Sequence, residues 1–443
     1  MAGDKPTVER RALVDLAVVL VCYSGVAALI AVLMYLVSGS GSAWLTFDAD
    51  RFHAMAEVII GGFRPYIDFV DPKPPLLFFM VSAMDLLAPA GSVDIIVMSG
   101  VNVLCAILIY WIGRSDYGNI SGFSAGLLFL VAAVFVQGYF LFSEQFAVLF
   151  LIVAFMLARE DHFGASGLCL GLAMGFKQYA FLAIPALLFL ARVKGSGRTG
   201  RYLEFLAAAI AVFACVFGAL YLWYGPEATR SAINWTFGIA PSYLAGHLVE
   251  VPAYQPDNVL AFTANLLASL VMVLPTLLFA GTSVWRRGLR TDDEVAFGLA
   301  IIFFLLTLLI RQYLHYWILM LPFLALLACR EFAVGSARES DESPRGSALR
   351  RLAGFAREVG SPAGKPGPEE RPGGAPGKIV FAGPVTGAPP APGGPRGRAG
   401  LIPYKGAGGT PGTLPEKGEE TPSGQEEGER EEEEAPEGDE AGG

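Results

Sequence analysis

Apolar segments alternate with short polar ones between residues 13 and 330 of the chain. The first, Leu13 to Val37, is long enough to cross a bilayer as a helix, and no signal-peptide cleavage site follows it. Further apolar segments follow at residues 95–112, 120–136, 140–157, 202–223, 259–284, 295–310 and 314–328. This pattern predicts an all-α polytopic membrane protein.

Two apolar segments allow more than one placement. Leu76 to Leu87 is short and contains Asp85, so we predict an interfacial helix rather than a crossing. Ala165 to Leu190 either crosses once, with Lys177 at mid-membrane, or forms a hairpin of two short segments broken at Gly175-Phe176-Lys177-Gln178. We predict the hairpin, because it keeps the basic residues that follow on the cytoplasmic side, and the total is then about ten transmembrane segments.

Basic residues divide unequally between the two sides of this arrangement. The predicted outer side holds Arg51, Arg64, Lys73, Lys177, Arg230 and Arg311. The predicted cytoplasmic ends hold Lys5, Arg10, Arg11, Arg114, Arg159, Arg192, Lys194, Arg198, Arg201, Arg286, Arg287, Arg290 and Arg330. Because an excess of Lys and Arg marks the cytoplasmic side, we predict a multi-pass protein of the plasma membrane with residues 1–12 inside the cell.

The composition changes after Arg330, where charged residues become dense. Residues 360–415 are rich in Pro and Gly, and residues 416–440 are rich in Glu. Neither composition can bury enough apolar surface to fold, so residues 331–443 are predicted to form a disordered cytoplasmic tail. The membrane body is then residues 13–330. It contains two outer loops, residues 38–94 and residues 225–258.

The first outer loop contains the stretch from Phe47 to Pro75, FDADRFHAMAEVIIGGFRPYIDFVDPKPP. Its first acid, Asp48, can begin a helix that runs to Ile60 and is stopped by Gly61-Gly62. That helix would place three polar residues on one face, namely Asp50, His53 and Glu57. Asp48 or Asp50 could act as a general base, and the three residues of that face are candidate ligands for a divalent metal ion. The alternative is a capped, solvated interfacial helix.

The same loop ends in Asp71-Pro72-Lys73-Pro74-Pro75. The prolines restrict the backbone and would hold Lys73 at the membrane surface, where an ammonium suits a lipid phosphate. A snorkelling lysine in a turn is the alternative. Asp68 and Asp71 fit as groups that order the loop near Arg64 and Lys73.

Four ionisable residues outside this loop lie near predicted outer helix ends, namely Glu144, Lys177, Arg311 and His315. Ionisable residues at membrane depth are costly, which favours a functional use. Arg311 or His315 could contact a phosphate, whereas the alternative is an aromatic belt with polar neighbours.

Several nucleotide and metal motifs are missing from the sequence. It contains no Walker loop, no dinucleotide-binding glycine pattern after a strand, no H-E-x-x-H and no zinc spacing. A nucleotide-sugar donor or ATP is therefore not expected, nor is a nucleic acid partner, and a lipid-linked donor is favoured.

These residues together resemble the GT-C membrane glycosyltransferases, in particular the protein O-mannosyltransferase-like and aminoarabinose-transferase-like branches. The matching positions in the first loop are Asp48, Asp50, Gly62, Pro65, Tyr66, Asp68 and Lys73-Pro74-Pro75-Leu76. Later matches are Gly175-Phe176-Lys177 with Pro185, and His315-Tyr316 with Leu321-Pro322. The resemblance covers roughly residues 10 to 330.

The resemblance implies transfer of a sugar from a polyprenyl phosphate to a lipid, glycan or protein acceptor on the outer side, with inversion and a first-loop acid as base. Asp48 matches the leading acid of the family's D–E pair, but Ala49 stands at its partner position, so Asp48 and Asp50 both remain candidates. The expected donor-phosphate ligands are Lys73, Arg64, Lys177, Arg311 and His315. The expected substrate contacts are His53, Glu57, Tyr66, Asp68, Asp71 and Glu144.

Two other functions fit the same features. A transporter or lipid flippase would use Lys177 and Glu144 to line a path, although transporters often show a second broken helix in a matching position. A non-catalytic membrane scaffold would depend on its acidic tail instead.

Overall fold

A computed structural model describes residues 5–38, 47–87, 92–194, 199–238, 256–310 and 313–332. These ranges are helical and contain no strand, as the sequence predicts. In chain order the helices are α1 (Lys5–Ser38), α2 (Phe47–Ile60), α3 (Pro75–Leu87), α4 (Ser92–Tyr117), α5 (Asn119–Phe135), α6 (Ser143–Arg159), α7 (Phe163–Phe176), α8 (Ile184–Lys194), α9 (Thr199–Ile233), α10 (Pro256–Arg287), α11 (Asp292–Ile310) and α12 (Leu321–Cys329). Single 3₁₀ or π turns occupy Gln178–Ala183, Asn234–Gly238, Leu314–Leu319 and Arg330–Phe332.

Four of the described helices are long and apolar enough to cross a membrane. The qualifying segments are Val14–Leu36, Val93–Tyr117, Thr199–Gly238 and Leu266–Arg287, in α1, α4, α9 and α10. The short helix expected at Leu76 to Leu87 is present as the 13-residue α3, and its interfacial position stays a prediction. The total of ten crossings therefore stays a prediction, and the predicted disordered tail, apart from Glu331 and Phe332, lies outside the described residues.

The chain breaks at Lys177, between α7 and α8. Lys177 is extended, with φ −142° and ψ 114°, and a 3₁₀ turn leads from it into α8. At the far end of α8, the ammonium of Lys194 lies 3.4 Å from the carbonyl oxygen of Arg159, beside the start of α7. Both ends of this pair of helices thus lie at the same end of the molecule, as the hairpin predicts, so the segment is not one continuous helix.

The predicted second outer loop, residues 225–258, begins with helical structure. Gly225 has φ 85° and interrupts α9, but Pro226 starts a new helical segment that continues to Ile233 and into a π turn. Proline suits the first turn of a helix, where its missing N–H has no intrahelical partner. Residues 239–255 of this loop lie outside the described ranges.

Six ionisable residues pair at the end of the molecule opposite the first loop. Arg159 pairs with Asp116 and, at 2.9 Å, with Asp293, which also lies 2.9 Å from Lys194. Arg330, 1% exposed, pairs with Glu294 at 3.0 Å and donates to Ser283 at 2.6 Å. We call Asp116, Arg159, Lys194, Asp293, Glu294 and Arg330 the basal network. It gathers residues that the charge distribution assigns to the cytoplasmic side.

We expect the two ends of the molecule to be accessible from opposite sides of the membrane. Glu57 in α2 and Glu160 after α6 are both exposed, and α4, α5 and α6 separate them along the chain. A cysteine introduced at Glu57 should react with a membrane-impermeant maleimide from outside the cell, and one at Glu160 only after permeabilisation. Labelling of both from the same side would show that the number of crossings between them is even.

Candidate functional site

Helix α2 forms where the sequence predicts it. Asp48 and Asp50 lie in its first turn, where negative charge is favourable, and Gly62 at φ 81° follows its end. The helix buries Ala49, Phe52, His53 and Ala56, whereas Asp50 and Glu57 are exposed. Of the three residues that helical spacing places on one face, Asp50 and Glu57 are therefore accessible, whereas His53 is buried.

The loop after α2 is ordered by its own polar groups. Asp68 accepts a hydrogen bond from the backbone N–H of Arg64 at 2.7 Å, and the side chains of both residues are exposed. Tyr66 is buried, with φ 65°, and its hydroxyl donates to the carbonyl of Lys73 at 2.5 Å. Fully buried Asp71 accepts from the backbone N–H of Lys73 at 2.9 Å. The contacts of Tyr66 and Asp71 fix the backbone of Lys73 directly, and that of Asp68 orders the turn before it.

Lys73 projects from this loop towards the first turn of α2. Its ammonium lies 3.6 Å from Asp48 and 3.9 Å from Asp71, and 4.5 Å from the centre of the Phe52 ring. Arg51 pairs with the other oxygen of Asp71 at 3.2 Å. The loop therefore places an acid, Asp48, and a cation, Lys73, side by side.

A second group of charges lies deeper in the molecule. Glu144, at the start of α6, is fully buried and lies 2.5 Å from the ammonium of Lys177 and 3.6 Å from the imidazole of His315. The ammonium of Lys177 also lies over the rings of Tyr316 and Tyr179, at 4.7 and 5.2 Å. Three segments that are far apart in sequence thus meet at one carboxylate.

The two groups adjoin each other. Gln178, next to Lys177, donates to the carbonyl of Pro72 in the first loop at 3.1 Å. Pro72 directly precedes Lys73, so the first loop contacts the segment that carries Lys177. We call Asp48, Lys73, Glu144, Lys177 and His315 the charged cluster. The structure thus brings together five of the residues selected from the sequence.

His53 lies between two carboxylates. Its Nδ1 is 2.6 Å from Asp85, at the end of α3, and its Nε2 is 2.8 Å from Asp94, in the first turn of α4. Burial by itself lowers the pKa of His53, but Asp94 and Asp85 outweigh burial and raise this pKa above its usual value. For the Asp85 carboxyl, burial has the opposite effect and raises the pKa, although the nearby imidazole opposes this shift.

The candidate metal ligands do not fit a metal ion. Both ring nitrogens of His53 are occupied by carboxylates, while Asp50 and Glu57 point to solvent. Over the described ranges, no group of three or more His, Cys, Asp or Glu side chains is arranged to hold a metal. We therefore derive no step from a metal.

The remaining expected site residues divide into three kinds. Arg64, Asp68, Tyr66 and Asp71 shape the loop, and Arg311 lies outside the described residues. Asp50 and Glu57 are exposed on α2. The sequence analysis missed Asp85 and Asp94 as partners of His53, although Asp85, an acid within an apolar helix, was a usable signal.

Comparison with known proteins adds nothing to this geometry. No protein-family model matches the chain, and no curated protein matches it either.

Proposed function

We propose that this protein is an integral-membrane glycosyltransferase that moves a sugar from a polyprenyl-phosphate donor to an acceptor on the non-cytoplasmic face. The supporting observation is the position of Asp48 and Lys73, 3.6 Å apart, in a loop that contacts the segment of Lys177 through the hydrogen bond from Gln178 to the carbonyl of Pro72. An acid and a cation in this arrangement can serve the two ends of one substitution reaction, the incoming hydroxyl and the departing phosphate.

Lys73 is the cation of the cluster that suits the phosphate best. Lys177 is committed to Glu144 at 2.5 Å, and both side chains are buried. Lys73 instead has two longer contacts, 3.6 Å to Asp48 and 3.9 Å to Asp71, and its side chain is 14% exposed. An incoming phosphate can therefore reach Lys73 without separating a tight buried pair.

Asp48 is the better placed of the two candidate bases. It lies beside Lys73 and is 30% exposed, whereas Asp50 is on the exposed side of α2. In the proposed reaction the acceptor oxygen bonds to the anomeric carbon as the bond from that carbon to the phosphate oxygen breaks. Asp48 accepts the hydroxyl proton, and Lys73 stabilises the charge that develops on the departing phosphate.

The basal network supports an enzyme over a transporter. An alternating-access transporter must open towards the cytoplasm, and that opening would separate the helices that the network joins. Arg330 is 1% exposed with hydrogen bonds to Ser283, and parting it from Glu294 would leave an unpaired buried charge. A scaffold requires neither buried charges beside the first loop nor an accessible Lys73.

Replacing Lys73 with alanine should weaken donor binding. We expect Lys73→Ala to lower the affinity for undecaprenyl phosphate by about 1–3 kcal/mol, since one charge-assisted contact to the phosphate is lost. Binding to the purified full-length protein in nanodiscs would be measured, together with release of undecaprenyl phosphate from a labelled lipid-linked sugar.

The matched control is Arg230→Ala, which removes an exposed basic residue of α9 from the same predicted side. Equal affinities for the parental protein and Lys73→Ala would mean that Lys73 only anchors the loop. If the parental protein released no undecaprenyl phosphate from any lipid-linked sugar in the presence of acceptors, the glycosyltransferase proposal would be wrong.

A further inference from the structure

The contacts of His53 join three helices that approach the charged cluster. His53 is on α2, Asp85 ends α3, and Asp94 begins α4. Both contacts are short, 2.6 and 2.8 Å, and His53 is only 5% exposed. We call His53, Asp85 and Asp94 the histidine bridge.

The bridge is best satisfied by a charged imidazole. A neutral imidazole has one N–H and can donate to only one of the two carboxylates, whereas the imidazolium donates to both. Two charge-assisted hydrogen bonds in opposite directions restrict both the ring and the helix that carries it. The bridge therefore fixes the rotation of α2 about its own axis.

That rotation determines where Asp48 lies. On the side of α2 that faces the loop, Phe52 lies 4.5 Å from the ammonium of Lys73, and the carboxylate of Asp48 lies 3.6 Å from it. Side-chain ends lie about 5–6 Å from a helix axis, so a turn of about 20° moves them by roughly 2 Å. A displacement of that size is enough to disturb a reacting geometry.

We propose that His53 is a positioning residue, which holds α2 through Asp85 and Asp94 so that Asp48 stays against Lys73. This inference rests on the proposed function, because it assigns His53 a role in the same transfer reaction. His53 itself contacts neither Lys73 nor any other member of the charged cluster in the described contacts. Its effect on transfer is therefore indirect, and we assign it to the position of Asp48 on α2.

The test is a double-mutant cycle between His53→Gln and Asp48→Asn in the full-length protein in nanodiscs. We expect His53→Gln to lower the turnover number about 10- to 100-fold with little change in donor KM. In the Asp48→Asn background the same substitution should cause no further loss, because the group that it displaces is already inactive. A merely structural role would lower turnover by the same factor in both backgrounds, and that result would overturn the proposal.

A second measurement does not depend on activity. Spin labels at Ala54, exposed on α2, and at Phe135, the 50% exposed last residue of α5, would report the position of α2 in a variant without native cysteines. We expect His53→Gln to shift the distance between the labels by roughly 2 Å or more. The matched control is His162→Gln, at an exposed histidine before α7, which should leave distance and turnover unchanged.

The two measurements separate failure of this inference from failure of the proposed function. If the parental protein transfers no sugar, the proposed function fails and the label distance alone decides: a shift supports the bridge, and an unchanged distance overturns it. If the parental protein transfers sugar but Asp48→Asn does so at the same rate, Asp48 is not the base, and the proposal that His53 acts through Asp48 is overturned while the transfer activity stands. If His53→Gln does not fold, Asp85→Ala replaces it in both measurements, since it removes the acceptor of one of the two contacts.

Discussion

Asp48→Asn should lower the rate of sugar transfer about 10²–10⁴-fold, which is the usual cost of losing a general base. Asparagine keeps the size of the side chain but cannot accept the hydroxyl proton. Lys73 keeps its contact with Asp71 at 3.9 Å, so donor binding should persist. The measurement is transfer from a labelled lipid-linked sugar in nanodiscs, with undecaprenyl phosphate binding as a parallel assay.

Asp50→Asn is the matched control for this experiment. Asp50 is two residues further along the same helix, carries the same charge and is exposed. Its replacement should change the rate by a factor of about two at most, as is usual for surface positions. A parental rate in Asp48→Asn combined with a large loss in Asp50→Asn would reverse the assignment of the base.

Glu144→Gln should produce the largest loss of stability. The substitution removes the charge that lies 2.5 Å from the buried ammonium of Lys177 and leaves that ammonium without a counter-ion. Breaking a buried ion pair from one side costs about 3–5 kcal/mol. The free energy of unfolding would be measured for the purified protein by denaturant titration in detergent.

Two further variants make this result interpretable. Glu204→Gln breaks an exposed pair with Arg201, whose side chains are 48% and 30% exposed, and should cost at most about 1 kcal/mol. The double variant Glu144→Gln/Lys177→Met removes both charges and should recover most of the stability lost in Glu144→Gln. If Glu144→Gln were no less stable than Glu204→Gln, the pairing of Glu144 with Lys177 would not contribute to stability.

Features that depend on neighbouring residues could be predicted from the sequence. The bounds of α2 follow from the acids of its first turn and from Gly61-Gly62, and the structure ends the helix at Ile60. The break at Lys177 could be predicted because Ala165 to Leu190 is long enough to cross the membrane once. A single crossing would place Lys177 at mid-membrane, where a lysine is unfavourable. The convergence of Lys73 and Asp48 with later segments was expected only through the resemblance to a family, not from local pattern.

The sequence could not predict which side chains meet across the fold. His53 is 32 residues from Asp85 and 41 from Asp94, and helical spacing alone grouped it with Asp50 and Glu57 instead. Similarly, Gly225 resembled the start of a loop, although Pro226 immediately begins a new helical segment. In both places the outcome depends on packing against other elements, which local spacing does not record.

The pairing of Glu144 with Lys177 also constrains how the protein can be made. A lone lysine or glutamate at membrane depth is unfavourable, by about 2.5–3.5 kcal/mol for lysine at a helix centre. Glu144 begins α6, whereas its counter-ion is synthesised only after α7, at the turn of the hairpin. Neither α6 nor the hairpin segment is therefore stable in lipid by itself. We expect α6, α7 and α8 to leave the insertion channel together, after Glu144 and Lys177 have formed their ion pair.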